Sequence, residues 1–244
     1  MKLLEKFEYI KIYSEFDDFI IYFPIILSVV DNKQEGYVFQ EGSTFIIVHK
    51  FGFCYILGEY YDYAKLIDRI SEKLKVLVPK LRLYDPNGKL KDSRYLLHDR
   101  CTRIKYIHSL NMHNDFESQI EFFDIQDKDD SVYDFFDLEL DSRYWSTCLE
   151  FRENSFAIVD EYNIGICYAA AISHGYAETD VFVNKKVRGK GLATGLVKSF
   201  VNKCISNNVI PVWDCYSNNQ ASINLANKTG FKRVFEYYFY NINI

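Results

Sequence analysis

Apolar and polar positions change rhythm several times along this chain, and each change marks an element. Leu192, Leu196, Val197, Phe200, Val201, Cys204 and Ile205 recur at three- and four-residue intervals, which predicts an amphipathic helix ending around Ser206-Asn207-Asn208. Ahead of it, "SFAIVDE" (155–161), "GICYAAAIS" (165–173) and the alternating "AETDVFV" (177–183) read as three strands of a meander, the first two joined by a turn at Tyr162-Asn163. Behind it, "VIPVWDCY" (209–216) reads as a strand, with Pro211 tolerable only near its start or on an edge. "SNNQASINLANKTGF" (217–231) reads as a capped helix stopped by Gly230, and 232–244 as a terminal strand pair or one long strand. The second half therefore runs β-β-β-loop-α-β-α-β.

The first half is a mixture of short elements. "TFIIVHK" and "FCYILGE", parted by Phe51-Gly52, predict a hairpin; "YAKLIDRISEKLKVL" has helical spacing, and "DPNG" at 85–88 is a turn. Composition shifts once, at 124–141, where "DIQDKDDSVYDFFDLELD" holds eight acidic residues and one lysine. The expected division is an α+β domain over 1–125 and a second domain over 126–244. That acidic run is either a solvated face or a lure for a cationic substrate. No repeat at solenoid periods is visible in the sequence.

Composition narrows the function classes. The chain of 244 residues is 48% hydrophobic and 26% charged, as in an ordinary globular protein, and its net charge of -5 argues against nucleic acid as main partner. The longest apolar run, "FIIYFPIILSVV" (19–30), is too short for a bilayer span and contains Pro24. The first residues carry acidic side chains and no small-residue cleavage site, so a cytoplasmic location is expected. Six scattered cysteines lack CxxC spacing and the five histidines are isolated, so free thiols and no metal site are expected.

Candidate chemistry concentrates in "VFVNKKVRGKGLATG" (181–195), where Gly189, Gly191 and Gly195 accompany Lys185, Lys186, Arg188 and Lys190. A glycine loop entering a helix collects unpaired amide N–H groups at the positive end of the helix dipole, a natural anion site. A solvated glycine-rich turn is the plain alternative. A nucleotide P-loop needs Gly-Lys followed by Ser or Thr, which is absent, and a dinucleotide loop needs its third glycine one place before Gly195.

"RGKGLA", Arg188 to Ala193, resembles the pyrophosphate loop of the GNAT superfamily of acyl-CoA-dependent N-acyltransferases, [Q/R]-x-x-G-x-[G/A]. "VNKKVRG" follows that family's spacing from the preceding strand, and Asn219, Ser222, Gly230 and Phe231 match its N-x-x-[A/S]…G-F helix. The likeness covers roughly residues 130–244. It is narrowest to a bacterial subgroup that includes a zwittermicin-resistance acetyltransferase.

The resemblance implies an α/β (α+β) protein whose C-terminal GNAT fold has a mixed, mostly antiparallel sheet flanked by helices. It implies acetyl-CoA as cofactor and acetyl transfer to a primary amine of a small molecule, with a monomer or homodimer as assembly. Phe182 and Val183 would meet the pantetheine through main chain. Arg188, Gly189, Lys190, Gly191, Leu192 and Ala193 would cradle the pyrophosphate, with Asn219 and Ser222 completing the cofactor site. Glu178 and Asp180, two apart on one strand face, are the candidate base and orienting group; an exposed edge-strand face is the alternative reading of the pair. One departure stands out: the tyrosine that many family members place seven residues after the helix asparagine is here Ala226. Tyr216, Cys215, or one of Tyr237, Tyr238 and Tyr240 would have to protonate the thiolate, or solvent would. That departure keeps a CoA-binding sensor open as an alternative, beside a protein or peptide N-acetyltransferase.

Overall fold

The computed structural model describes residues 1–78, 80–90, 100–110, 120–128, 132 and 156–244. They form two compact units, Met1–Lys105 with Phe235–Ile244, and Tyr106–Val234. Most of the acidic run at 124–141, with Cys148, His98 and His113, lies outside the described residues.

Unit 1 opens with strand β1 (Lys2–Leu3), 3-10 turns at Lys6–Glu15 and Ile20–Tyr22, and helix α1 (Pro24–Val30), whose Pro24 occupies the first turn where its missing N–H costs nothing. Then come β2 (Gly36–Glu41), β3 (Thr44–His49), β4 (Phe53–Leu57), α2 (Tyr63–Leu74) and β5 (Lys80–Asp85). The expected hairpin is β3–β4, and β2, absent from the sequence reading, extends it. Leu66, Ile67, Ile70 and Leu74 form the buried stripe of α2 and pack with Ile46, Val48, Leu81 and Leu83 of the sheet. A second, aromatic cluster joins Phe23 to Tyr55, Tyr84 and Tyr237 at centroid separations of 4.6 to 5.5 Å.

Strand β6 (Arg100–Ile107) carries the chain into unit 2, and just past it the His108 N–H donates to the Pro211 carbonyl at 3.0 Å. Unit 2 contains β7 (Phe122–Asp124), β8 (Ala157–Asp160), β9 (Gly165–Ser173), β10 (Tyr176–Val183), α3 (Leu192–Ser206), β11 (Ile210–Tyr216) and α4 (Gln220–Lys228). Strands β7 to β10 pair antiparallel in succession, while β10 and β11 run parallel. The β9–β10 turn has His174 and Gly175 both at positive φ, 49° and 77°, the twist-matched geometry for a two-residue hairpin. Every residue of the expected helical stripe, Leu192 to Ile205, is buried on α3. Val212 and Cys215 are buried on β11, and Ile166, Tyr168 and Ala170 cluster with Ala157 and Val159. Residues 232–243 form one long strand, β12, which returns the chain to unit 1 and pairs antiparallel with β5.

Among the described residues no helix is long and apolar enough to cross a membrane. Among the described residues, Cys54, Cys101, Cys167, Cys204 and Cys215 form no disulfide with one another.

Candidate active site

The glycine loop is built from the end of β10. Asn184 accepts the Lys186 N–H at 3.1 Å and sets a 3-10 turn over Lys185–Val187, after which the Arg188 Nε donates back to the Val183 carbonyl at 2.9 Å. Gly189 and Gly191 then adopt φ of 83° and 86°, and a Cβ on either would meet no atom within 4 Å. Glycine is needed there for the left-handed backbone, not for space. Gly191 is the N-cap of α3 and supplies no side-chain cap. Among the described residues no backbone or side-chain acceptor takes the amides from Gly189 to Ala193. Arg188 to Gly191 are exposed, so the dipole end of a fifteen-residue helix opens onto solvent beside Lys185, Lys186, Arg188 and Lys190. Gly195 has another purpose: its Cβ would meet Phe122 Cζ at 2.2 Å, so it lets α3 lie against β7.

The adjoining strands part. β10 and β11 share rungs at Tyr176–Ile210, Ala177–Pro211 and Glu178–Val212, and the ladder ends there, five residues before β10 does. A register shift against β9 between Glu178 and Thr179 accompanies the parting. Strand alternation puts Glu178, Asp180 and Phe182 on one face, and Val212, Asp214 and Tyr216 on the matching face of β11. Asp180 is held by the Tyr168 hydroxyl at 2.6 Å and by the Val181 N–H at 2.9 Å. Phe182 packs against the cluster around Tyr168. Tyr216, at the end of β11, is exposed.

Helix α4 starts at Asn219, whose Oδ1 accepts the Ser222 N–H at 3.2 Å as an N-cap. Ser222 Oγ accepts the Trp213 Nε1–H at 3.1 Å, which locks the first turn of α4 onto β11, and the Trp213 ring packs on Phe231. Both residues thus carry structural bonds, leaving the Asn219 Nδ2 and the Ser222 hydroxyl hydrogen as donors. Ala226 is fully buried, and its carbonyl receives the Phe231 N–H at 3.0 Å and the Thr229 hydroxyl at 3.2 Å. Of the other proton donors considered, Cys215 is buried, while Tyr237, Tyr238 and Tyr240 belong to unit 1. Unit 2 thus brings Glu178, Asp180 and Tyr216 onto the two strand faces beside the parting and puts the glycine loop at the far end of β10.

A family model described as GNAT acetyltransferase matches residues 21–240. The chain belongs to the GNAT acetyltransferase family. The GNAT match extends well ahead of the region where the motifs were legible. A 100-residue stretch is 34% identical to the uncharacterized N-acetyltransferase YdfB of Bacillus subtilis (strain 168), spanning 40% of this chain and 38% of that relative's length. A GCN5-related N-acetyltransferase-like protein from Streptococcus suis 89/1591 superposes with a TM-score of 0.68 at 16% identity, covering 97% of this chain and 98% of that one. A GNAT-family acetyltransferase from Colwellia psychrerythraea does so with a TM-score of 0.57 at 12% identity, covering 99% of both chains. At those identities the structural likeness is one of fold.

Proposed function

We propose that the protein is an N-acetyltransferase that moves an acetyl group from acetyl-CoA to a primary amine of a small molecule. The observation that carries this reading is the N-terminus of α3 without a side-chain cap, where the amides of Gly189 to Ala193 have no acceptor among the described residues and Gly189 to Gly191 are exposed. Those amides fit a pyrophosphate: they are donors, they converge at a dipole end, and Arg188 and Lys190 add positive charge. Phe182 and Val183 would offer main-chain groups of the parted strand to the pantetheine, and Asn219 and Ser222 would donate through the atoms left by their structural bonds. Acetyl-CoA, when bound, supplies the activated acyl group.

The rest of the work falls to side chains of this chain. Glu178, acting through a water, takes the proton the amine must lose to be a nucleophile, and Asp180, oriented by Tyr168, holds the amine in line. Tyr216 keeps a proton at its phenol oxygen for the departing sulfur, in the role that buried Ala226 cannot fill. The acidic groups Glu178, Asp180 and Asp214 favour a cationic acceptor. Likeness to the zwittermicin-resistance subgroup points to an amino-bearing antibiotic or metabolite, handled in the cytoplasm.

Titration calorimetry with acetyl-CoA, followed by thiol release across a panel of amines, tests the reading. The expected result is binding that falls at least about tenfold in Gly191→Glu, which sets a carboxylate among the amides, and turnover with at least one small amine. Unchanged binding in that variant would sink the cradle. Binding without turnover on any amine would favour a CoA sensor.

A further inference from the structure

The two units repeat one architecture although their sequences show no repeat. In unit 1, β2, β3 and β4 pair antiparallel in succession, α2 follows, and β5 returns parallel to β4 in three rungs, Phe53–Arg82, Cys54–Leu83 and Tyr55–Tyr84. In unit 2, β8, β9 and β10 pair antiparallel in succession, α3 follows, and β11 returns parallel to β10, again in three rungs. Element order, pairing sense and rung number all agree.

We infer that the chain holds two copies of one acyl-CoA-binding fold, and that the copy in unit 1 is sealed by its own residues, so that a single acyl-CoA binds per chain, in unit 2. This rests on the acyl-CoA reading of unit 2 given above.

Three differences between equivalent places carry the inference. The first is the helix start. Where α3 has Gly191 and no side-chain cap, α2 has Asp62, whose carboxylate accepts the Lys65 N–H at 3.1 Å. The dipole end that would attract a phosphate already holds an anion.

The second is charge. The entry to α3 is "NKKVRGKG" (184–191), with four cations; the entry to α2 is "GEYYD" (58–62), with two carboxylates and no cation. Even with Glu59 paired to Lys89, this entry offers a pyrophosphate no net positive charge, where the entry to α3 offers four cations.

The third is the strand edge. The β10–β11 ladder ends at Glu178, five residues before β10 does, whereas the β4–β5 ladder ends at Tyr55, two residues before the end of β4. Past that end the Gly58 carbonyl takes the Lys89 ammonium at 2.5 Å, Lys89 also pairs with Glu59 at 3.2 Å, and the Glu59 carbonyl accepts the Thr44 hydroxyl at 2.7 Å. Lys89 is held there by its own turn, because Asp85 accepts the Lys89 N–H at 2.8 Å and the Leu90 N–H at 3.0 Å. Leu90 is buried in the core with Leu66 and Ile70. The carbonyls of Gly58 and Glu59, just past the end of β4, are therefore engaged by the chain itself.

Calorimetry gives the stoichiometry and amide hydrogen exchange on the intact chain gives the place. The expected result is one acetyl-CoA per chain, with ligand slowing exchange at 179–183 and 189–193 and leaving 56–62 unchanged. Two sites per chain, or ligand-dependent protection of 56–62, would overturn the sealed copy while leaving the cradle of unit 2 in place. No binding at all would overturn both readings.

Discussion

Tyr168 donates its hydroxyl to Asp180 Oδ2 at 2.6 Å across the rung that pairs the two residues on β9 and β10. Tyr168 is itself buried, so the contact fixes the direction of the carboxylate. A hydrogen bond to a charged group contributes roughly 1.5 to 3 kcal/mol. Tyr168→Phe should therefore keep the fold and acetyl-CoA affinity and lower kcat/KM for the amine about tenfold or more. Steady-state kinetics read it; an unchanged value would remove Asp180 from the amine's side of the reaction.

Gly195 offers a stability test. Alanine gains about 1 kcal/mol over glycine in a helix interior, yet a Cβ here would lie 2.2 Å from Phe122 Cζ. Steric cost should prevail, with Gly195→Ala losing about 1 to 3 kcal/mol net in urea unfolding. Adding Phe122→Leu should recover part of the loss, and a Gly195→Ala protein as stable as the parent would mean that the ring simply moves aside.

His49 predicts how stability falls in acid. Its imidazole is buried, Nε2 has no partner among the described residues, and burial, with Lys50 adding to it, lowers its pKa from 6.5 to about 3. The unfolded chain then binds the proton first as pH falls through 6.5, so this contribution is full above 6.5 and is lost progressively toward pH 3. His49→Leu should flatten the decline in melting temperature between pH 6.5 and 4.5. Glu8 and Glu41, each held near 2 by cationic partners, steepen only the lower part of the acid limb, below the ordinary glutamate value of 4.5. A slope identical in the two proteins would exclude His49.

Thr179 is 8% exposed and its hydroxyl has no hydrogen-bond partner among the described residues. Valine has the same shape without the polar atom, so Thr179→Val should raise stability by about 1 kcal/mol. Chemical denaturation checks it, and a loss of stability would show that the hydroxyl is satisfied in the folded protein.

Features written in local patterns could be read in advance: the α3 stripe, the β8–β10 meander, the loop glycines and the Asn219 cap each depend on neighbours within a few residues. What could not be read depends on strand register. Tyr168 meets Asp180, Gly195 meets Phe122, and Lys203 pairs with Asp124 only because particular strands and helices lie side by side. For the same reason the likeness of the two units was invisible, since it lies in pairing sense and not in residue identity. β12 was legible as a strand but not as part of the unit that the first residues begin.

That return has a consequence for synthesis. Residues 235–244 belong with the described residues of 1–105, and the described residues between them form the other unit. The first half to leave the ribosome must wait, with the β5 edge bare, until all of unit 2 has been made, whereas unit 2 can close as soon as β11 and α4 are out. Contacts this distant in sequence are slow to form and leave a strand edge open to other chains in the meantime. The N-terminal half is thus the part of a nascent chain most in need of protection, although it is made first.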